Sequence, residues 1–128
     1  MPSDIQRLML DDQMEPVSHY CHGVRAGDVI WVSGMVGCTP DGQIPDDVVE
    51  QFRIALDACD AVVTAAGGSA ASWVKVRIFL TDIGDRAAIN PLREAYFGEH
   101  RPASTLLEVS ALVDPRMKVE IEAEAVVG

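Results

Sequence analysis

Glu120, Glu122 and Glu124 recur at every second position near the end of this 128-residue sequence. On a strand, that spacing lines three carboxylates along one face about 7 Å apart, given a rise of roughly 3.3 Å per residue. Like charges so close need solvent or cations, and a solvated strand face is the ordinary fate of such a ladder. If one of the three lies in an apolar cleft instead, desolvation and its neighbours raise its pKa, which suits a carboxyl group to general acid/base work.

His19, Tyr20, Cys21 and His22 form the other cluster of chemically active side chains. Strand alternation separates His19 and Cys21 from Tyr20 and His22, so the four cannot converge on one ion, and no H-E-x-x-H or further ligand spacing supplements them. No metal site is expected. There is no G-x-S-x-G, and Gly23, Gly27, Gly34, Gly37 and Gly42 compose neither G-x-x-x-x-G-K-[ST] nor a strand-borne G-x-G-x-x-G. No organic cofactor is expected either. Cys21 and Cys38 read as packing residues rather than reactive thiols.

The composition limits what can surround these groups. With 48% apolar and 23% charged residues, no repeat and no low-complexity tract, the sequence reads as one globular domain over residues 1–128. No apolar run approaches the roughly 20 residues of a membrane-spanning helix, and no basic segment followed by an apolar one suggests a secretory signal. Twenty acidic residues against ten basic ones give a net charge of -10, a field that repels phosphate backbones and anionic lipids, so neither nucleic acid nor membrane is an expected partner. Three cysteines without a C-x-x-C pair fit a reducing compartment, and the cytoplasm is the expected location.

The elements that must position these groups follow from periodicity. After Gly27-Asp28, the run Val29 to Val32 reads as a buried strand ending at Ser33-Gly34, with residues 19–26 as its hairpin partner. Pro40-Asp41-Gly42 is turn chemistry, and Pro45-Asp46-Asp47 starts a helix. Val48, Phe52, Ala55, Leu56, Cys59, Val62, Val63 and Ala66 recur at helical spacing up to the Gly67-Gly68 stop, leaving Asp57 and Asp60 on the outer face. Residues 73–81 predict a strand with Val74, Val76, Ile78 and Leu80 on one face and Lys75, Arg77 and Phe79 on the other. A second helix over about residues 85–98 carries Ala88, Ile89, Leu92, Tyr96 and Phe97, and residues 103–112 return to strand pattern. In the last strand Val119, Ile121, Ala123 and Ala125 alternate with Lys118 and the three glutamates. The order β-β-β-α-β-α-β-β predicts an α+β layer in which two helices cover one face of a mixed sheet, the other face being solvated or covered by a second copy.

Several stretches together resemble the Rid/YjgF family, best known for reactive-intermediate (enamine and imine) deaminases. They are Tyr20-Cys21-His22-Gly23 with Gly27-Asp28 and Ser33-Gly34, the long helix into Ala65-Ala66-Gly67-Gly68, Val76 to Asp82, Asn90 with Glu94 to Phe97, Arg101-Pro102-Ala103, and Lys118 to Ala123. The resemblance implies a chorismate-mutase-like α+β fold and a homotrimer whose sheets face a central barrel, with clefts between neighbouring subunits. It also implies hydrolysis of a C=N bond, formed from an enamine by tautomerisation, to a carbonyl and ammonia without metal or organic cofactor. Carried over by position, Glu120 corresponds to the acid that positions or activates water, and Tyr20, Gly34 and Asn90 to cleft-lining positions. Taken by themselves, Tyr20 reads equally as a packing residue at a strand edge and Asn90 as a helix-surface residue.

One departure bears on the substrate. Archetypal members read Pro-Ala-Arg-Ser where this chain has Pro102-Ala103-Ser104-Thr105, so a hydroxyl replaces the guanidinium that would clamp a substrate carboxylate. Arg101 would face away in a regular strand but could reach the cleft at a strand entrance or across a subunit boundary; Arg93 and Arg116 are weaker candidates for the same role, a surface ion pair being the ordinary fate of each. Ser104 and Thr105 offer hydrogen bonds, and Leu106, where many members have Cys, makes the cleft more apolar. The expected function is cofactor-free deamination of a small enamine or imine, of aminomuconate type or without a carboxylate. The alternative is a non-catalytic ligand-binding or regulatory trimer.

Overall fold

The structure, a computed structural model, describes residues 4–128. Its elements are β1 (Ile5–Leu8), β2 (Gly23–Ala26), β3 (Val29–Val36), α1 (Val48–Ala65), β4 (Trp73–Leu80), α2 (Arg86–Phe97), β5 (Ala103–Glu108) and β6 (Val119–Val126). The strands lie in the order β1-β2-β3-β6-β4-β5. All neighbours are antiparallel except β4 and β5, and that parallel pair needs a crossover, which α2 supplies. The result is the mixed α+β layer that the periodicity predicts. No helix among the described residues is long and apolar enough to cross a membrane.

Alternation in β6 sets the two faces of the sheet. Val119, Ile121, Ala123 and Ala125 are buried in one core with Phe52, Ala55, Cys59, Val62 and Val63 of α1, while Glu120, Glu122 and Glu124 project from the opposite face. Asp47 caps α1, its side chain accepting the Glu50 N–H at 3.3 Å, so Pro45 and Asp46 precede the helix. Gly67, at φ 97°, makes the left-handed turn that ends it. α2 docks through Tyr96 and Phe97, which meet Trp73 edge-on at centroid distances of 5.5 and 5.1 Å.

The structure corrects several expectations, two of them because of an extra residue in a strand. β3 does not end at Ser33-Gly34 but runs through it to Val36. A bulge between Val32 and Met35, against Ala123 and Ile121 of β6, lets both Val32 and Met35 face the core. The run Val29 to Val32 is not buried on both faces either, since Trp31 is 44% exposed between buried Ile30 and Val32. In β4 a second irregularity between Trp73 and Lys75 turns Trp73 inward and leaves Val74 exposed, so the expected apolar face begins only at Val76. Residues 19–22 stand outside the hairpin, because β2 pairs with β3 only from Gly23 and takes β1 on its other edge. Ala88 is exposed, and β5 stops at Glu108 rather than 112. Asp60 is not on a free outer face: it accepts a hydrogen bond from the Tyr96 hydroxyl at 2.5 Å, tying α1 to α2.

Candidate functional site

The three glutamates of β6 share a face but not an environment. Arg77, opposite Glu122 on β4, holds Glu122 at 3.6 Å and Glu124 at 3.1 Å. Glu120 lies opposite Val36 and Phe79, and no hydrogen bond or ion pair reaches its carboxylate among the described residues. Burial, followed by the nearby charge of Glu122, raises its pKa above the usual carboxylate range.

The β3 bulge brings Gly34 against this carboxylate. A Cβ on Gly34 would fall 2.8 Å from Glu120 Cδ and closer still to Oε2, so the missing side chain is what makes room for the acid. Around the pair opens a cleft of about 330 Å³ lined by Tyr20, His22, Ser33, Met35, Cys38, Val113 and the loop Gln13 to Val17. The Cys38 thiol is pushed up by burial, which keeps it protonated and a poor nucleophile at neutral pH.

Buried His22 fastens that loop. The Leu10 N–H donates to Nδ1 at 2.9 Å, so Nδ1 is an acceptor and the proton sits on Nε2, which donates to the Met14 carbonyl at 2.9 Å. The Ser33 hydroxyl donates to the Cys21 carbonyl at 2.6 Å and joins the bulge to the same segment. Tyr20 is 44% exposed at the rim, and its oxygen accepts the Val17 N–H at 3.4 Å.

Beneath the start of β6, fully buried Gln51 joins three segments. Its amide donates to the carbonyls of Pro45 at 2.7 Å and Arg116 at 3.0 Å and accepts the Lys118 N–H at 2.8 Å. Gly37 packs so tightly on this residue that a Cβ there would lie 2.7 Å from the Gln51 carbonyl oxygen. The strand segment two residues ahead of Glu120 is thereby fixed to α1.

A second cleft, of about 670 Å³, is lined by Asn90, Arg93, Glu94, Phe97, Gly98, Arg101 and Pro102 and shares no lining residue with the first. Arg101 sits at the entrance to β5. Ser104, opposite Val76, accepts a hydrogen bond from Arg93 Nη2 at 2.8 Å, whereas Thr105, opposite Arg77 on the other face, accepts one from Lys75 Nζ at 2.9 Å. Leu106 packs against the core.

Within one chain, then, the structure brings Glu120, Tyr20 and Gly34 together and places Asn90, Arg101 and Ser104 elsewhere. Arg116 makes the surface ion pair expected of it, with Asp114 at 2.9 Å, but Arg93 makes none among the described residues. His22, Ser33 and Gln51 escape sequence reasoning because each acts through backbone groups of distant segments. A histidine beside a glycine at a strand start is the only trace of the first. Among the described residues no three His, Cys, Asp or Glu side chains are grouped to hold a metal.

Comparison with known proteins gives this geometry a context. The family model described as Endoribonuclease L-PSP matches residues 10–127. The 2-iminobutanoate/2-iminopropanoate deaminase of Escherichia coli (strain K12) is 40% identical over 114 residues, which covers 86% of this chain and 88% of the relative. TdcF of the same strain is 36% identical over 126 residues, covering 94% and 97%. Among solved structures, E. coli TdcF with bound serine superposes with a TM-score of 0.90 at 33% identity, covering 96% of this chain and 99% of that one. The E. coli YjgF gene product does so with a TM-score of 0.88 at 36% identity, covering 94% and 98%.

Proposed function

The chain belongs to the YjgF/Rid family, and from that premise we propose that it is a hydrolytic deaminase of reactive enamine and imine intermediates that uses neither metal nor organic cofactor. The observation that carries this reading is Glu120, the one carboxylate of its ladder left unpaired and desolvated, set over Gly34 beside a cleft of about 330 Å³.

The chemistry needs one group that first takes a proton and then gives it back. As water attacks the carbon of a protonated imine, the Glu120 carboxylate removes a water proton and a neutral carbinolamine forms. The Glu120 carboxyl then protonates the amine nitrogen, the C–N bond breaks as the hydroxyl oxygen forms the carbonyl, and the hydroxyl proton leaves with nitrogen as ammonium. An enamine enters the same route after protonation at carbon. A carboxyl whose pKa is raised serves both steps better than an ordinary one, and general acid/base catalysis of this kind contributes on the order of 10²- to 10⁴-fold.

We further propose that the working form is a homotrimer with its open sheet faces turned to a central barrel. Trp31 and Val126, 44% and 45% exposed on that face, are apolar surface that a second copy would cover. In that assembly Tyr20 and Gly34 line the Glu120 cleft, and Asn90, Arg101 and the β5 segment Ser104 to Leu106 complete it from the neighbouring subunit. The net charge of -10 disfavours the nuclease activity named in the description of the family model.

The test is ammonia release from freshly generated small imines, with and without a carboxylate, and from an aminomuconate. Turnover by the wild type that Glu120→Gln lacks supports the reading. Equal rates for the two across the panel overturn it, and ligand retention without turnover leaves a binding trimer in its place.

A further inference from the structure

We infer that Arg93 is the anion-recognition residue of the cleft formed by Asn90, Arg93 and Arg101, and that the group it takes is a carboxylate. This deepens the proposed function, on which it rests for the claim that the carboxylate belongs to the substrate.

Arg93 differs from Arg25, the other half-buried arginine without a carboxylate partner among the described residues, whose guanidinium is tied to the Gly27 and Ala66 carbonyls. Arg53, Arg77 and Arg116 each hold a carboxylate, as expected where acids outnumber bases by twenty to ten. Arg93 is half-buried, yet its one hydrogen-bond partner among the described residues is a neutral hydroxyl, Ser104 Oγ, at 2.8 Å. Burying a guanidinium without a counter-charge is unfavourable, and the same burial lowers its pKa. The contact with Ser104 uses Nη2 alone, leaving further N–H donors for a planar acceptor. An aspartate at position 104 would hold Arg93 equally well but would cancel its charge.

The surroundings favour the same ligand. Arg101 adds a second positive charge and Asn90 an amide donor, against Glu94 as the single acid lining the cleft. The balance of one positive charge suits a monoanion. A guanidinium fork matches the two oxygens of a carboxylate, which a lysine in its place could engage only as a point charge. The clamp thus comes from helix α2 and is braced by the strand, so a serine at position 104 is compatible with an acidic substrate.

The experiment follows the side-chain Nε–Hε resonance of Arg93, assigned with Arg93→Gln, in the ¹⁵N-labelled full chain. The probes are 2-oxobutanoate, butanone as its neutral counterpart, and inorganic phosphate. A saturable shift with 2-oxobutanoate, at least tenfold weaker with butanone and with phosphate, is expected. In the variants, where the Arg93 resonance is absent or altered, binding is read at the backbone amide of Asn90 in the same cleft: Arg93→Gln should abolish saturation, Ser104→Ala should weaken it severalfold, and Arg53→Gln should leave it unchanged. Arg93→Lys, which keeps the charge but not the fork, should bind at an intermediate level and covers the case in which Arg93→Gln fails to fold. Equal binding of butanone, undiminished binding by Arg93→Gln or Arg93→Lys, or tighter binding of phosphate overturns the inference. If 2-oxobutanoate binds through Arg93 while no imine is hydrolysed, the deaminase reading alone fails. If imines are hydrolysed and Arg93→Gln retains the wild-type KM for 2-iminobutanoate, the inference alone fails.

Discussion

Gly34 and Glu120 are in contact across the β3–β6 ladder: a methyl group on the glycine would fall 2.8 Å from Cδ of the glutamate and nearer still to Oε2. The atoms it would strike are the end of a flexible side chain rather than backbone, so the carboxylate can swing aside.

Gly34→Ala is therefore expected to separate activity from stability. It should displace the acid and lower kcat at least tenfold, while costing no more than about 1 kcal/mol of folding stability. Gly37→Ala makes the opposite case, since its methyl group meets the backbone of Gln51, and about 1–3 kcal/mol should be lost. Thermal unfolding and ammonia release on both variants check the pair. A Gly34→Ala protein with full activity would show that the close approach does not constrain the acid.

Replacing Glu120 by Gln should reduce kcat by about 10²- to 10⁴-fold without lowering Tm at neutral pH. The pKa of Glu120 is raised in the folded chain, so the native state binds this proton more readily than the unfolded one, and stability falls as pH rises through the raised value. The amide, which does not titrate, removes that dependence. Because the group is half exposed, the gain should stay well under about 1 kcal/mol, and it should vanish in acid, where wild-type Glu120 is protonated.

The acid limb of kcat/KM should lie above the ordinary carboxylate range, with activity appearing as Glu120 loses its proton. Glu122→Gln removes the smaller of the two causes of the raised pKa and should move that limb to lower pH, leaving the contribution of burial in place. Comparing the two pH profiles checks this, and a limb unmoved by Glu122→Gln would assign the whole effect to burial. Arg77 keeps Glu124 as a partner in the variant, so the sheet should not be disturbed.

His22→Phe retains a ring but leaves the Leu10 N–H and the Met14 carbonyl without their partners. A loss of about 1–3 kcal/mol is expected, together with faster hydrogen exchange at Leu10 and a KM raised more than kcat is lowered. Equal effects on both constants would place the loop in the chemical step rather than in binding.

Much of this was legible in the sequence where the period is local. The alternation of β6, the glycine stop of α1 and the order of the elements depend on neighbours within a few residues, whereas the start of α1 falls two residues after Pro45, with Asp47 as its cap. The bulges did not show, because a single extra residue at Ser33-Gly34 or at Val74 changes which face follows without changing the composition of the strand. The distinct character of Glu120 was hidden for another reason. It arises from Arg77, on a different strand, pairing with the other two glutamates. The bond from Arg93 to Ser104 likewise joins a helix to a strand, and no pattern in either element announces it.

The bulge in β3 has a consequence for chain length. Val32 and Met35 both face the core although an odd number of steps separates them, so the extra residue acts as a phase correction between two halves of one strand. Deleting Ser33 would not merely shorten a connection. It would leave Val32 and Met35 two residues apart, in strict alternation opposite Ala123 and Ile121 and both still facing the core, and the bulge that sets Gly34 against the Glu120 carboxylate would be lost. Losing one residue here therefore spares the core face of β3 but removes the bulge, so the length of this stretch bears on the placing of Gly34 beside Glu120 rather than on the core.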